Sequence, residues 1–436
     1  MVQSFHSFEK IVASFVIIFL IGFLMLRTKQ SKTPVWVVMA LSSSIMVFSN
    51  LVPPDEIINS IDFEVILFLL GMFSIVAVIE QSGLLAYSIS KIIKFAKNNS
   101  VYKISIFLSL GVGIFSAFLI NDTLAFMGAP IIFALARVIK IDPKPLFFVM
   151  AFAITIGSVM SPIGNPQNML ITTQSGLKAP FLEFFLYLGI PTLLNLLITP
   201  IIILRSYRIK NDKKVEYLNT FEGEIKNKND AVLGVLALLG IITALIVNDI
   251  LSIGGNILFS NRGVIPFVVA TLTYFFLSNP RNVLRGIDFG AIIFFITMFI
   301  TMNGVWKSGL FQGLFNTLVP GPENVFESYF AIVFLSLTVS QFISNVPFTK
   351  LFTSYLILAG YTSNHTYAWL SLSMASTIAG NLTILGAASN IIILEGLESR
   401  YRFTTSFFEF LKLGVVVTLV NLAIYSPFLI FGAYIS

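Results

Sequence analysis

The residues of this chain best suited to chemistry lie inside apolar sequence. Asn121, Asp122 and Thr123 follow Leu119-Ile120, with Pro130 beyond, and Asp122 is the only charge between Lys103 and Arg137. A carboxylate at membrane depth costs about 2.5–3.5 kcal/mol on insertion scales, so it marks function by default. Helix capping is the other reading of Asp122, and a cap can also titrate. A second polar tip reads Ser344-Asn345-Val346-Pro347, followed by Phe348-Thr349-Lys350. Val346 stands where the first tip has Asp122. Lys350 has three readings: it snorkels to the surface, pairs with Asp122, or contacts an anionic substrate. Two further stretches must break their helices. Ser161-Pro162-Ile163-Gly164-Asn165-Pro166-Gln167-Asn168 has Pro on both sides of Gly164, and Pro removes a donor and clashes with the preceding turn. Thr383-Ile384-Leu385-Gly386-Ala387-Ala388-Ser389-Asn390 breaks more gently. Asn168 and Asn390 open the second half-helices, either as caps or as ligand contacts; ligand contact is the expectation. Carboxamide oxygens and free carbonyls suit a cation at the tip of Asn121 and Asp122, and helix N-termini suit an anion.

Elements crossing a bilayer must position these groups. The 436 residues are 56% hydrophobic and 11% charged, against roughly 25% charged in soluble domains. Too few charges remain to coat a soluble surface, which excludes a soluble enzyme, a nucleic-acid binder and a disordered chain. There is no Cys, and His6 and His365 are the only His. Thiolate metal sites, disulfides and cysteine nucleophiles are excluded. No His-Glu-x-x-His motif and no phosphate-binding Gly-x-x-x-x-Gly-Lys-Ser/Thr loop occurs, so no enzyme and no cofactor is expected. The coupling ion would be Na+ or H+. Energy comes from gradients, with a separate ATPase subunit left open.

Apolar windows place spans near 8–26, 34–51, 62–82, 180–204, 231–250, 263–279, 288–306 and 407–434. The stretches 103–137 and 327–360 are polar at their centres and read as re-entrant hairpins. The stretches 145–175 and 366–395 read as broken helices, whose irregular backbone needs protein or a polar cavity around it. With the hairpins returning to the side they left, all Lys and Arg except Lys10, Lys178, Arg262, Lys307 and Lys350 fall on one side, including Arg27, Lys29 and Lys32. That side is cytoplasmic by the positive-inside rule. The chain is therefore expected to be an all-α polytopic protein of the cell membrane, with about ten full crossings and both termini outside. Lys91, Lys94 and Lys97 suggest an interfacial helix. Glu395 and Glu398 precede Arg400 and Arg402 and suggest surface pairing, and Trp36, Trp306 and Trp369 fit an aromatic belt.

Three markers recur in order. Ser82-Gly83-Leu84 matches Ser308-Gly309-Leu310, Leu119-Ile120-Asn121 matches Ile343-Ser344-Asn345, and Gly164-x-x-x-Asn168 matches Gly386-x-x-x-Asn390. Their spacings agree within two residues. The expected organisation is a first membrane repeat over 1–205, a cytoplasmic linker over 206–230 and a second repeat over 231–436. Each half has an odd number of crossings, so the repeat is inverted, as in many secondary transporters that bind substrate at discontinuous helices.

The tip Asn121-Asp122 with Pro130, the tip Ser344-Asn345-Val346-Pro347 and the paired Gly-x-x-x-Asn turns together resemble the ion transporter superfamily. Within it the chain is most similar to the arsenite/antimonite permease and citrate-transporter-like group, from about Trp36 to Phe431. That group is related to divalent anion:sodium symporters and to one class of Na+/H+ antiporters. In the symporter branch, Ser-Asn-Thr tips bind Na+ and substrate carboxylates. The resemblance implies that role for Asn121, Ser344 and Asn345, with Gly164 and Gly386 near the same ions. Here the tips read Ile-Asn-Asp and Ser-Asn-Val, so the Thr hydroxyls are missing or displaced. The Asn-Asp tip looks closer to the permease and antiporter branches. A homodimer is also implied as an option by the resemblance.

The expected function is secondary-active transport of a small anion, an arsenite-like oxyanion or a carboxylate, coupled to H+ or Na+. The hairpins and broken helices would move as an elevator-like unit in the lipid bilayer. A Na+/H+ antiporter using Asp122 and a monovalent cation substrate is the first alternative. A channel with the tips as its filter is the second.

Overall fold

A computed structural model describes residues 2–26, 33–95, 100–119, 121–210 and 223–433. Arg27, Lys29, Lys32, Lys97, Ile120 and the middle of the linker, 211–222, lie outside the described residues. Every regular element described is helical. The first half contains α1 (Val2–Leu26), α2 (Val35–Phe48), α3 (Ile57–Ser60), α4 (Phe63–Gln81), α5 (Leu84–Phe95), α6 (Val101–Ser116), α7 (Asn121–Ile139), α8 (Pro143–Gly157), α9 (Pro166–Gln174), α10 (Pro180–Phe184) and α11 (Ile190–Ser206). The second contains α12 (Lys228–Ile253), α13 (Val264–Tyr274), α14 (Pro280–Arg285), α15 (Phe289–Lys307), α16 (Gln312–Leu318), α17 (Val325–Ile343), α18 (Asn345–Leu358), α19 (Thr366–Ile378), α20 (Ala388–Tyr401) and α21 (Phe407–Gly432). A π-helical turn, Phe185–Gly189, joins α10 to α11.

Among the described residues, seven helical stretches are long and apolar enough to cross a membrane, and three shorter apolar helices accompany them. The expected spans near 34–51 and 263–279 hold helices of only 14 and 11 residues. At 1.5 Å per residue these reach roughly 21 and 16 Å, short of a hydrocarbon core about 30 Å thick. Their ends explain the truncation. Pro53-Pro54 follows α2, and Ser278-Asn279-Pro280 follows α13. One hairpin arm, Val325–Ile343, is itself long and apolar enough to span.

The helices form two packed blocks. In one, α2 lies on α15 and α13 lies on α4, with α12 outside α4 and α13. In the other, α6 packs on α8 and α17 on α19, while α7 meets α20 and α9 meets α18. Each hairpin's second arm thus rests on the broken helix of the other half. Helices α4 and α15 run antiparallel. Gln81 Nε2 at the end of α4 donates to Asn282 O beside the start of α15, and Asn303 Nδ2 near the end of α15 donates to Ser60 Oγ beside the start of α4. Lys307 and Glu56 pair at that same end.

Small residues bring α6 and α8 together. A Cβ on Gly157 would lie 2.1 Å from Gly113 O and 2.4 Å from Gly113 Cα, both backbone atoms. This contact sets Ser116 Oγ 2.5 Å from Ile154 O and so fixes the base of the first tip. Close backbone approach through Gly is the usual device between membrane helices. Gly157→Ala is expected to destabilise the protein by about 1–3 kcal/mol or more through overpacking. A thermal melt in detergent should show the loss, and a variant melting like the parent would sink this account.

Trp369 does not join an aromatic belt. It is fully buried, and its Nε1 donates to Thr362 O at 2.9 Å. Trp36 lies against a cavity at the start of α2.

Candidate functional site

The first tip rests on a serine at the first helix break. Ser158 Oγ donates to Thr155 O at 2.9 Å and accepts from Asn121 Nδ2 at 3.4 Å and Asn165 Nδ2 at 3.2 Å. One hydroxyl thereby joins α8, the hairpin tip and the start of α9. Asn121 Oδ1 also accepts from Ser116 Oγ at 2.6 Å. Asn165 is the N-cap of α9, its Oδ1 accepting from Asn168 N at 2.8 Å, as its residue type favours. Its Nδ2 also reaches Thr377 Oγ1 of α19, at 3.1 Å.

Asn168 and Asn390 take the structural role rather than the expected ligand contact. Asn168 Nδ2 donates to the carbonyls of Ser158 and Ser161. Asn390 Nδ2 donates to the carbonyls of Gly380 and Thr383, the same two positions in its own half. Both are fully buried, and neither faces the cavity. Each carboxamide satisfies carbonyls that a broken helix leaves without partners.

The second tip is built differently. Ser344 adopts φ +71° and ψ 156°, a conformation nearly reserved for Gly. Such strain gathers at binding sites and costs of order 1–3 kcal/mol. Asn345 Nδ2 donates to Gly386 O at 3.2 Å, and among the described residues its Oδ1 has no partner. Ser389 Oγ is likewise unpartnered. Thr383 is occupied instead: its hydroxyl donates to Gln341 Oε1 at 3.0 Å.

A cavity of about 420 Å³ lies where these parts meet. Of the expected site residues it is lined by Asn121, Asp122, Asn165, Ser344, Asn345, Gly386 and Ser389. Thr123, Gly164, Asn168, Pro347, Lys350, Thr383 and Asn390 do not line it. Gly164 is packed against Ser158, where a Cβ would sit 2.5 Å from the carbonyl oxygen. The far wall comes from the other block: Trp36 of α2, Phe73 of α4, and Asp288, Phe294 and Phe295 at α15. The size suits a small organic or inorganic ion. Its charge is one-sided. Asp122, Asp288 and Glu395 line it, and among the described residues no Lys, Arg or His does.

Lys350 does not pair with Asp122. Its Nζ donates to Gln174 Oε1 at 3.1 Å and lies 5.8 Å from the Phe299 ring centroid. Gln174 Nε2 and Thr173 Oγ1 in turn donate to Asp62 Oδ2, at 3.1 and 3.2 Å. The ammonium points away from the tip because α18 turns it towards α9 and α15. Nearby, Arg262 pairs with buried Asp249 and donates to Lys178 O at 2.8 Å, while Asp249 accepts from Phe181 N at 2.6 Å. These bonds close the two blocks together at the Asp62 end of α4. At the opposite end two residues of the cavity wall, Asp288 and Glu395, are exposed, which marks the mouth there.

Sequence comparison settles the family. A model described as citrate transporter matches residues 19–371. The chain belongs to the citrate transporter family. It is 27% identical over 383 residues to an uncharacterized transporter of Mycobacterium tuberculosis, covering 85% of this chain and 86% of that one. A Dictyostelium discoideum protein named as an arsB transporter is 21% identical, covering 89% and 86%. The mouse P protein is 22% identical over 85% of this chain and 54% of its own length. In structure the fold resembles the YdaH transporter of Alcanivorax borkumensis, with TM-score 0.57 and 11% identity over 97% of both chains. It also resembles Neisseria gonorrhoeae MtrF, with TM-score 0.53 and 10% identity over 97% and 94%. This member of the citrate transporter family is thus an all-helical membrane transporter with transporter structures as its fold neighbours.

The cavity of this family member adds residues that sequence reasoning passed over. Asp288 and Glu395 sit in segments whose charge pattern reads as solvated surface. Gln167 was visible within the Asn-Pro-Gln-Asn break, and Thr377 only gains a role by facing Asn165 and Gln167 across the two halves. The one available signal for Asp288 is its match to Asp62, each standing just before a long apolar helix.

Proposed function

We propose that this protein carries a small carboxylate or oxyanion across the cell membrane together with H+ or Na+, by elevator-like alternating access. The cavity carries the reading. It lies between two helix blocks, at two hairpin tips and two helix breaks, and among the described residues it presents three carboxylates and no basic group. An anion entering it meets like charge, which is costly away from water unless positive charge comes too. A proton or a cation taken up with the substrate supplies that charge. The family description, citrate transporter, supports a carboxylate as substrate. Reciprocal packing of the two halves supports an inverted repeat. By the positive-inside rule the mouth beside Asp288 faces the cytoplasm, so this is an inward-open state.

Labelled citrate uptake into proteoliposomes tests the reading, with either a proton or a sodium gradient imposed. Saturable uptake is expected, stimulated by one of the two gradients, with counterflow when citrate is preloaded. The antiporter reading is favoured by the same carboxylates. It replaces this one if no carboxylate or oxyanion is taken up while a Na+ or Li+ step moves protons.

A further inference from the structure

Asp62 and Asp288 hold matching places in the two halves. Each caps the helix it precedes, Asp62 Oδ1 accepting from Val65 N at 3.2 Å and Asp288 Oδ1 from Ala291 N at 3.0 Å. The match continues to the far ends of the same helices. There Ser82 and Ser308 each donate to the carbonyl three residues back, and Gly83 and Gly309 both have positive φ, +80° and +68°. The surroundings of the two aspartates differ. Around Asp62 the blocks are shut, with Thr173 and Gln174 of α9 bonded to the carboxylate. Asp288 is exposed, and among the described residues no bond reaches it from α20.

Helix α20 matches α9 through Asn390 and Asn168, which hold equivalent carbonyls. In that register Glu395 is the counterpart of Thr173, and Gly396 of Gln174. Through Asn345 and Asn121, Phe126 is the counterpart of Lys350. If the open end shuts as the other end has, Glu395 arrives at Asp288 where Thr173 now sits on Asp62. No lysine accompanies it. Two ionised carboxylates in contact repel strongly, and one bound proton or cation removes the repulsion. A second observation points to a ligand in the same space. Asn345 and Ser389 line this cavity and are 8% and 1% exposed, and among the described residues Asn345 Oδ1 and Ser389 Oγ have no partner.

We infer that Asp288 and Glu395 form a gate at the cavity mouth that closes only on a captured positive charge, a proton or a metal cation. This rests on the alternating-access reading above. The other acid facing them is Asp122 on α7. The basic groups on elements packed against α15 and α20 are Lys10 on α1, Arg137 on α7, Lys144 on α8 and Lys350 on α18, with Arg285 just before α15, and among the described residues none lines the cavity. Lys144 is held by Glu409 at 3.0 Å, and Lys350 by Gln174. The gate therefore has no cation of its own. An empty carrier with both acids ionised stays open, so the coupling ion must arrive before the transporter can turn over.

The chain contains no Cys, so Leu284→Cys and Ser399→Cys, both at exposed positions, can carry spin labels on either side of the mouth. Distances would be measured by electron resonance on the full chain in lipid vesicles. The buffers are mildly alkaline with chelator and no sodium, mildly acidic, and alkaline with Na+ or Mg2+. A single long separation is expected in the first buffer, and a second, shorter population in one of the others. Shortening by acid alone identifies a proton, and shortening by a metal ion at alkaline pH identifies a cation. Glu395→Gln and Asp288→Asn should each give the short population in every buffer. The inference is overturned if the short population is equal in all buffers, or if neither substitution changes it. If it never forms, even in the neutralised variants, the alternating-access reading itself fails at this mouth.

Discussion

Asp122→Asn is expected to lower gradient-driven uptake roughly 10- to 100-fold, the scale of losing one charged contact of about 1.5–3 kcal/mol. Substrate counterflow should persist. Asn has nearly the same shape, and Asp122 lies in the first turn of α7 with no hydrogen-bond or ion-pair partner among the described residues. The substitution therefore orphans nothing, and folding should survive it. What it removes is titration. A permanently neutral side chain resembles the protonated acid, so the loaded carrier can still exchange substrate. It can no longer give up a proton or release a cation, and accumulation against a gradient stops. Uptake and counterflow in the same vesicles separate the two effects. Full gradient-driven accumulation by the variant would move the coupling site to Asp288 and Glu395.

Much of this site was legible because its makers are punctuation residues. Gly164 and Gly386, the flanking prolines and the Asn-bearing tips cannot continue a helix in lipid, so the sequence pattern places them at depth. Their side-chain duties were not legible. Asn168, Asn390 and Asn345 share one residue type in one kind of setting and each donates to a carbonyl, yet among the described residues only Asn168 has its oxygen bonded. The carbonyl each holds lies some ten residues or, for Asn345, forty-one residues away, and the partners of the Asn168 oxygen lie in the other half. Lys350 was misplaced for a related reason. Spacing sets its depth, but the rotation of α18 against α9 and α15 sets its direction. Asp288 and Glu395 were hidden by their loops, because charge pattern cannot tell a solvated end from the rim of a cavity.

The closed and open ends also divide the chemistry of the two halves. At the closed end, opposite charges and amides meet: Asp62 with Gln174 and Lys350, Asp249 with Arg262. At the open end, three carboxylates share one cavity wall. Two halves with similar backbones thus reach opposite electrostatic outcomes. That asymmetry lets a bound positive charge decide which end shuts, since only one end depends on it.

Asn168→Ala should be the most damaging single substitution to stability among the residues discussed. Asn168 Nδ2 holds Ser158 O at 2.9 Å and Ser161 O at 3.0 Å, while its Oδ1 accepts from Ser373 Oγ at 2.7 Å and Thr377 Oγ1 at 3.3 Å. The site is fully buried. Alanine leaves two carbonyls and two hydroxyls there without that partner, at about 1–3 kcal/mol for each group that finds no other. The sum, about 4 kcal/mol or more, is a large share of a typical folding free energy of 5–15 kcal/mol. Asn390→Ala should cost about half as much. Its Nδ2 serves two carbonyls in the same way, but its Oδ1 has no partner, so deletion also removes an unsatisfied atom. Thermal unfolding of both variants in detergent tests the order, and equal losses would overturn it. The asymmetry bears on transport as well. Ser373 and Thr377 belong to α19 of the second half, so Asn168 ties the first break to its partner half as well as bracing it. A mobile unit made of parts from both halves needs such a tie to travel as one body.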